Sequence, residues 1–198
     1  MVAVRSSATA EDSSQASWAG ELETYLNTTE KTLITNVKKC WSSLFTPRAI
    51  FYRHEKKLHK AKVSVAVVVQ TMIQSQISGI TFTVHPVTKD RNQMIIEAGL
   101  GLGEAIVSGQ ITPDSYVINK KSLTLIDINI AEQAKKLERK ATGGNVWKKI
   151  PSKIGARQKL TGPQIIELAK ICLNIERHYK FTCDIEWAFA GGDRKSVV

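Results

Sequence analysis

Val4-Arg5-Ser6-Ser7-Ala8-Thr9-Ala10-Glu11-Asp12-Ser13-Ser14-Gln15-Ala16-Ser17-Trp18-Ala19-Gly20 sets one arginine at the end of a short β-branched run, Val2 to Arg5, and follows it with hydroxyls, small residues and a glycine. Small residues let backbone N–H groups approach phosphate oxygens, hydroxyls add donors, and an arginine stabilises the charge that shifts when a phosphoryl group moves. The pattern predicts a strand feeding a long phosphate-contacting loop. By spacing alone, a solvated Ser/Thr loop beside a surface arginine is the alternative.

Outward from that stretch, Leu33, Val37, Trp41 and Leu44 fall on one helical face, and Pro47 opens a second helix running to Leu58. Val63 to Gln70 is nearly all valine and predicts a strand buried on both faces. Gly79 to Val84 alternates and stops before Pro86, and Met94 to Ala98 is a strand ending in the glycines at 99, 101 and 103. Ser115 to Ile118 and Leu123 to Ile128, separated by a polar turn, read as a hairpin. Gln133 to Arg157 is basic, holds Gly143-Gly144 and lacks periodicity, so it predicts the mobile segment of the chain. Thr161 with Gln164 forms a capping box, Pro163 suits a first turn, and Ile165, Leu168, Ala169, Cys172 and Ile175 make a buried stripe. Asp184 to Ala190 reads as a strand, Gly191 to Asp193 as a turn, and Ser196 to Val198 as the opening of a further strand.

The 198 residues carry 28 Lys plus Arg against 18 Asp plus Glu, a net charge of +10 with 42% hydrophobic residues, which is an ordinary globular composition with a preference for anionic partners. Val65 to Val69 is the longest purely apolar run, far below the roughly 20 residues of a membrane span, so the expectation is a cytoplasmic protein with no membrane partner. Cys40, Cys172 and Cys183 lack ligand spacing and read as buried thiols. His54, His59, His85 and His178 are scattered and read as structural or surface residues. Gly99-Leu100-Gly101-Leu102-Gly103-Glu104 has the wrong glycine spacing for a dinucleotide fingerprint and predicts a tight backbone turn. Asp184 and Glu186, two apart on a strand, point to one face, where paired hard oxygens suit Mg²⁺; a solvent-facing acidic strand has the same spacing. Gln70-Thr71-Met72, at the end of the valine run, offers polar groups and a soft apolar surface to a base edge, or simply a core methionine filling a gap.

The string VRSSATAEDSSQASWAG, followed in order by CWSSLFTPRAIFYR, VVVQTMIQSQISGITFTVHPVT, GLGEAIVSGQITPDSYVI and DIEWAFA, resembles the nucleotide-binding domain of the phosphoenolpyruvate synthase and pyruvate phosphate dikinase family, over essentially the whole chain. The resemblance implies an α+β, ATP-grasp-like fold of mixed or antiparallel sheet with helices, binding ATP and Mg²⁺ between two subdomains and passing a phosphoryl group to a histidine on a separate swivelling domain. Carried over residue by residue, Arg5 contacts the transferring phosphates and Gly20 with Thr24 belongs to the loop closing over them. Gln70 and Met72 line the adenosine pocket, and Asp184 and Glu186 hold the metal.

In the family a glycine-rich segment with an ATP-binding lysine precedes the VRSSATAED motif, and a Leu-Gln-x-Arg segment follows DIEWA. Neither is present here, so the expectation is an incomplete domain, residues 1–198, lacking its first subdomain, the phosphohistidine domain and the pyruvate-binding domain, and inactive alone. The implied reaction takes ATP, pyruvate and water to AMP, phosphoenolpyruvate and phosphate. A rifampin phosphotransferase-type enzyme shares this domain and is one alternative; a module binding RNA or another polyanion is the other, disfavoured by the absence of a base-stacking platform.

Overall fold

The computed structural model describes residues 1–9, 21–58, 62–140 and 143–190. It divides into two compact units, Met1–Met72 and Ile73–Val198.

In the first unit, β1 (Val2–Ala8) is the central strand of an antiparallel three-stranded sheet, flanked by β2 (Thr24–Thr28) and β3 (Val65–Thr71). β1 runs past Arg5 to Ala8 because Arg5, Ser6, Ser7 and Ala8 pair with Val68, Val67, Ala66 and Val65. Thr24, expected in a loop, opens β2 opposite Arg5. Helix α1 (Glu30–Ser42) starts with Thr29 and Thr32 exchanging side-chain and backbone bonds, a capping box built from two threonines. After a 3₁₀ turn, Ser43–Phe45, α2 (Pro47–Glu55) begins at the predicted proline, with Thr46 capping the Ala49 N–H. The face of β1 carrying Val4 and Ala8 is buried, Ala8 packing with Leu44, Ala49 and Val63.

The predicted double burial of the valine run does not hold. β3 is an edge strand, and Val68 and Val69 are 48% and 49% exposed. Valine fits a half-buried pleat as well as a fully buried one, so the run indicated a strand without fixing its neighbours.

In the second unit, β4 (Ile77–Phe82), β5 (Gln93–Leu100), β6 (Asp114–Asn119), β7 (Thr124–Asn129) and β10 (Asp184–Phe189) form an antiparallel sheet of order β10-β4-β5-β6-β7. Helix α5 (Gly162–Tyr179) is capped as its sequence predicts and buries Ile165, Leu168, Ala169 and Cys172 against Met94, Ile96, Ala98 and Tyr116. Period-two alternation then decides the rest: Ile185 and Trp187 join this core, while Asp184 and Glu186 face the other way. Gly79 makes room for the indole. A Cβ there would lie 1.8 Å from the Glu97 carbonyl oxygen and 2.3 Å from Trp187 Cζ2.

The basic segment from Gln133 to Arg157, expected to be mobile, holds regular structure among its described residues: a hairpin of β8 (Lys135–Arg139) and β9 (Asn145–Lys149), then a short helix α4 (Ser152–Gly155). Lys136 and Lys148 stand directly opposite each other, an arrangement that repels. Glu138 pairs with both, and Lys135 lies 4.2 Å from the centre of the Trp147 ring. Charge neutralised within β8 and across to β9 replaces an apolar period as the organising contact. Cys40 and Cys172 are buried, as expected, and Cys183 is half-buried. The expected turn and strand opening after Ala190 lie outside the described residues, as does His59.

One buried ion pair ties this segment to the sheet. Lys159 Nζ lies 2.9 Å from Asp114 Oδ1, with the two side chains 1% and 0% exposed. Asp114 also accepts from the Lys159 and Ala131 N–H groups and from the Tyr116 hydroxyl, and Lys159 Nζ donates to the Gly155 and Ala131 carbonyls. Every lone pair and proton has a use, which is the condition for a buried pair to be tolerated. Lys159→Met strands the carboxylate, and chemical denaturation is expected to show a loss of about 3–5 kcal/mol.

Candidate nucleotide site

In the first unit the register sets Arg5 beside Thr24 on one side and Val68 on the other, and Ala3 beside Gln70. Directly paired residues and those two apart along a strand share a face, so Arg5, Thr24 and Gln70 emerge together, opposite the buried face of Val4. Arg5 is exposed, and its Nη1 donates to Gln70 Oε1 at 3.4 Å, a long bond that uses one of the five guanidinium donors. Met72 is half-buried, and its sulfur accepts the Asn27 N–H at 3.0 Å. Four of the five candidate residues in this unit are thus placed in one small sheet or at its end. The fifth, Gly20, lies outside the described residues.

In the second unit Asp184 and Glu186 are both exposed on β10, opposite Phe82 and Ile80 of β4. Neither forms an ion pair among the described residues. Two carboxylates on one strand face, with no ion-pair partner among the described residues, offer adjacent oxygens to a cation. They fit Mg²⁺, which takes one or two carboxylates and fills its octahedron with phosphate oxygens and water. No group of three or more His, Cys, Asp or Glu suited to a metal occurs among the described residues.

A third carboxylate was missed in the sequence. Glu97 pairs with Ile80, which pairs with Glu186, so Glu97 shares their face two strands away. The available signal was an acid interrupting the apolar run Met94-Ile95-Ile96-Glu97-Ala98. Burial pushes its carboxyl above the usual range.

The glycine turn after β5 is held from several sides. Gly101 has φ of +99°, and a Cβ there would lie 2.5 Å from the Leu137 carbonyl oxygen. Ser75 and Ser78 hydroxyls donate to the Gly101 carbonyl at 2.9 and 2.8 Å. The Gln133 amide bonds both the N–H and the C=O of Leu100 at 2.8 Å. The turn delivers Glu104 to the start of α3 (Glu104–Val107), where its Oε2 accepts from Asn145 Nδ2. The described histidines keep structural or surface places: His85 Nδ1 accepts the Val87 and Thr88 N–H groups, and His54 and His178 are exposed.

Fold and comparisons place the chain among α+β nucleotide-binding domains. The family described as pyruvate phosphate dikinase, AMP/ATP-binding domain, matches residues 1–198, and the chain belongs to that family. A probable phosphoenolpyruvate synthase of Methanocaldococcus jannaschii is 45% identical over 96% of this chain and 16% of its own length. The phosphoenolpyruvate synthase of Pyrococcus furiosus is 46% identical over the whole chain and 25% of its own length. A rifampicin phosphotransferase of Bacillus subtilis is 42% identical over 95% of the chain and 22% of its own length. The chain therefore spans a quarter or less of each of these three relatives. No helix among the described residues is long and apolar enough to cross a membrane.

Glu97 gives the site a pH signature. A carboxyl raised on folding takes up its proton in the folded chain before the unfolded chain does as pH falls, so its contribution to stability is unfavourable once pH has risen through the folded value. Glu97→Gln, neutral throughout, is expected to raise the thermal midpoint at about pH 7 and to lose that advantage toward roughly pH 4. Melting curves across a pH series read the difference.

Proposed function

We propose that this chain is the ATP- and Mg²⁺-binding part of a phosphoenolpyruvate synthase-like phosphotransferase. Two observations, each within its own unit, carry the reading in a chain of the AMP/ATP-binding family: Arg5, Thr24 and Gln70 share one sheet face, and Asp184 and Glu186, which form no ion pair among the described residues, share one strand face. Arg5 contacts the transferring phosphates and is the catalytic residue in this reading. Gly20 and Thr24 belong to the phosphate-contacting segment. Gln70 and Met72 receive the adenosine, the amide reading polar edges and the methionine offering a polarisable apolar surface. Asp184 and Glu186 would hold Mg²⁺, which when bound neutralises phosphate charge and orients the transferring group.

Arg5 does its work through charge. Its guanidinium presents several donors in a fixed plane to oxygens whose negative charge grows as the phosphoryl leaves, so it stabilises the transition state more than the ground state. The acceptor in this reading is a histidine on another domain of a longer protein, from which the group passes to pyruvate; residues 1–198 serve as the nucleotide-binding domain, and turnover requires the remaining domains. The cytoplasm is the compartment proposed for such a metabolic enzyme. Phosphoenolpyruvate synthase is the parent activity proposed, the name carried by relatives at 39% to 48% identity, a range that includes the 42% of the rifampicin phosphotransferase.

Calorimetric titration of Mg-ATP tests the reading. Glu186→Ala is expected to abolish magnesium-dependent binding, and Arg5→Ala to weaken it by about ten- to a hundredfold, the loss of a charge-assisted bond of roughly 1.5–3 kcal/mol. Binding that ignores Glu186 and falls steeply with salt would instead identify a polyanion-binding module.

A further inference from the structure

Arg5 and Thr24 stand side by side only if β1 and β2 keep their register, and the ladder between these strands is irregular. Val2 pairs with Thr28 but Val4 with Tyr25, so one extra residue of β2 is accommodated within two residues of β1. The pairing of Arg5 with Thr24 begins immediately beyond that irregularity. Three donors converge at this point on the carbonyl oxygen of Glu23, the residue before Thr24. The Ser6 N–H reaches it at 3.4 Å, the Ser6 hydroxyl at 2.9 Å and the Cys40 thiol at 3.6 Å. Cys40 Sγ also lies 3.6 Å from the carbonyl oxygen of Val4, the residue before Arg5. The thiol is fully buried and carried on α1, a helix of 13 residues, so it approaches both strands from a regular support. Alternation along β1 turns Ser6 to the Val4 face, away from the face that carries Arg5.

We propose that Ser6 and Cys40 are positioning residues: by converging on the Glu23 carbonyl and reaching the Val4 carbonyl they hold Arg5 and Thr24 in the alignment that lets both address one phosphate group. The inference rests on the reading of Arg5 and Thr24 as phosphate contacts. Ser6 and Cys40 touch no nucleotide and act only through the backbone. A single S–H serves one carbonyl at a time, so the thiol alternates between the strands it links. Burial, and behind it the Glu23 charge, raises its pKa, which keeps the proton in place and the sulfur a donor at neutral pH.

Four variants of this chain test the assignment by Mg-ATP calorimetry: Ser6→Ala, Cys40→Ala, Cys40→Ser and Arg5→Ala. Carbonyl ¹³C labelling reports the Glu23 oxygen directly. Ser6→Ala and Cys40→Ala are each expected to weaken Mg-ATP about fivefold, the worth of one ordinary hydrogen bond, and to shift the Glu23 carbonyl resonance. Cys40→Ser, which restores a donor but not the sulfur's volume, recovers most of the affinity; a packing role would leave serine as poor as alanine. If Arg5→Ala weakens binding while Ser6→Ala and Cys40→Ala match the parent, or if the Glu23 resonance stays in place, the positioning role is wrong and the nucleotide site stands. If Arg5→Ala leaves affinity unchanged, the phosphate-contact reading fails and the clamp has nothing to align.

Discussion

In the larger sheet a single helix decides what the strands can offer. Helix α5 packs its apolar stripe against Met94, Ile96, Ala98 and Tyr116, and every strand in register with them must turn alternate residues the same way. β10 can therefore bury Ile185 and Trp187 only by turning Asp184 and Glu186 together to the opposite side. The pair owes its existence to the hydrophobic effect acting on its neighbours, which fixes the carboxylates' direction at no cost to their own hydration. The same logic operates in the smaller sheet. Burying Val4 and Ala8 leaves Arg5 to emerge with Thr24 and Gln70.

Polar satisfaction supplies what the apolar pattern leaves open. The junction between the basic hairpin and α5 is held by Asp114 and Lys159, whose remaining hydrogen-bonding capacity is met by backbone groups of residues 131 and 155 and by Tyr116. Gln133 behaves as a peptide unit lent by a side chain, closing both backbone groups of Leu100 where the regular ladder ends. These contacts keep the glycine turn and the hairpin in place without a large share of core, which suits a segment as basic as residues 133–157. They also show why a lack of periodicity there was a poor guide to order. The signal lay in neutralisation by Glu138, of Lys136 two residues away on its own strand and of Lys148 on the neighbouring strand, the second of which depends on a register that no linear pattern encodes.

The sequence was most informative where local chemistry and packing agree. Thr161, Gln164 and the stripe from Ile165 to Cys172 announce α5 because capping and burial both reside within one helix. The hairpin of β6 and β7 and the strand from Asp184 were legible for the same reason, in strand form. Of the candidate site, the residues proposed from the sequence all lie on recognisable motifs, and residues that would act through neighbours carry no such mark. Glu97 was hidden in an apolar strand, and Ser6 and Cys40 meet at Glu23 only through pairings separated by 17 residues. The exposure of β3 was illegible because it depends on its place at the sheet edge, not on its valines.

Strand β10 illustrates a consequence in time as well as in space. Its partner is β4, about 100 residues earlier, as the bond from the Cys183 N–H to Thr83 across a separation of 100 shows. Closing a loop that long costs entropy before any contact offsets it, so such pairings form late. During synthesis β4, β5 and β6 emerge first and can associate while β10 is still unmade. The edge of β4 then waits, open, for the strand that carries the two carboxylates. The acidic pair is thus the last part of this sheet to come into being, and a nascent molecule has no such pair to offer a cation until translation has passed Phe189.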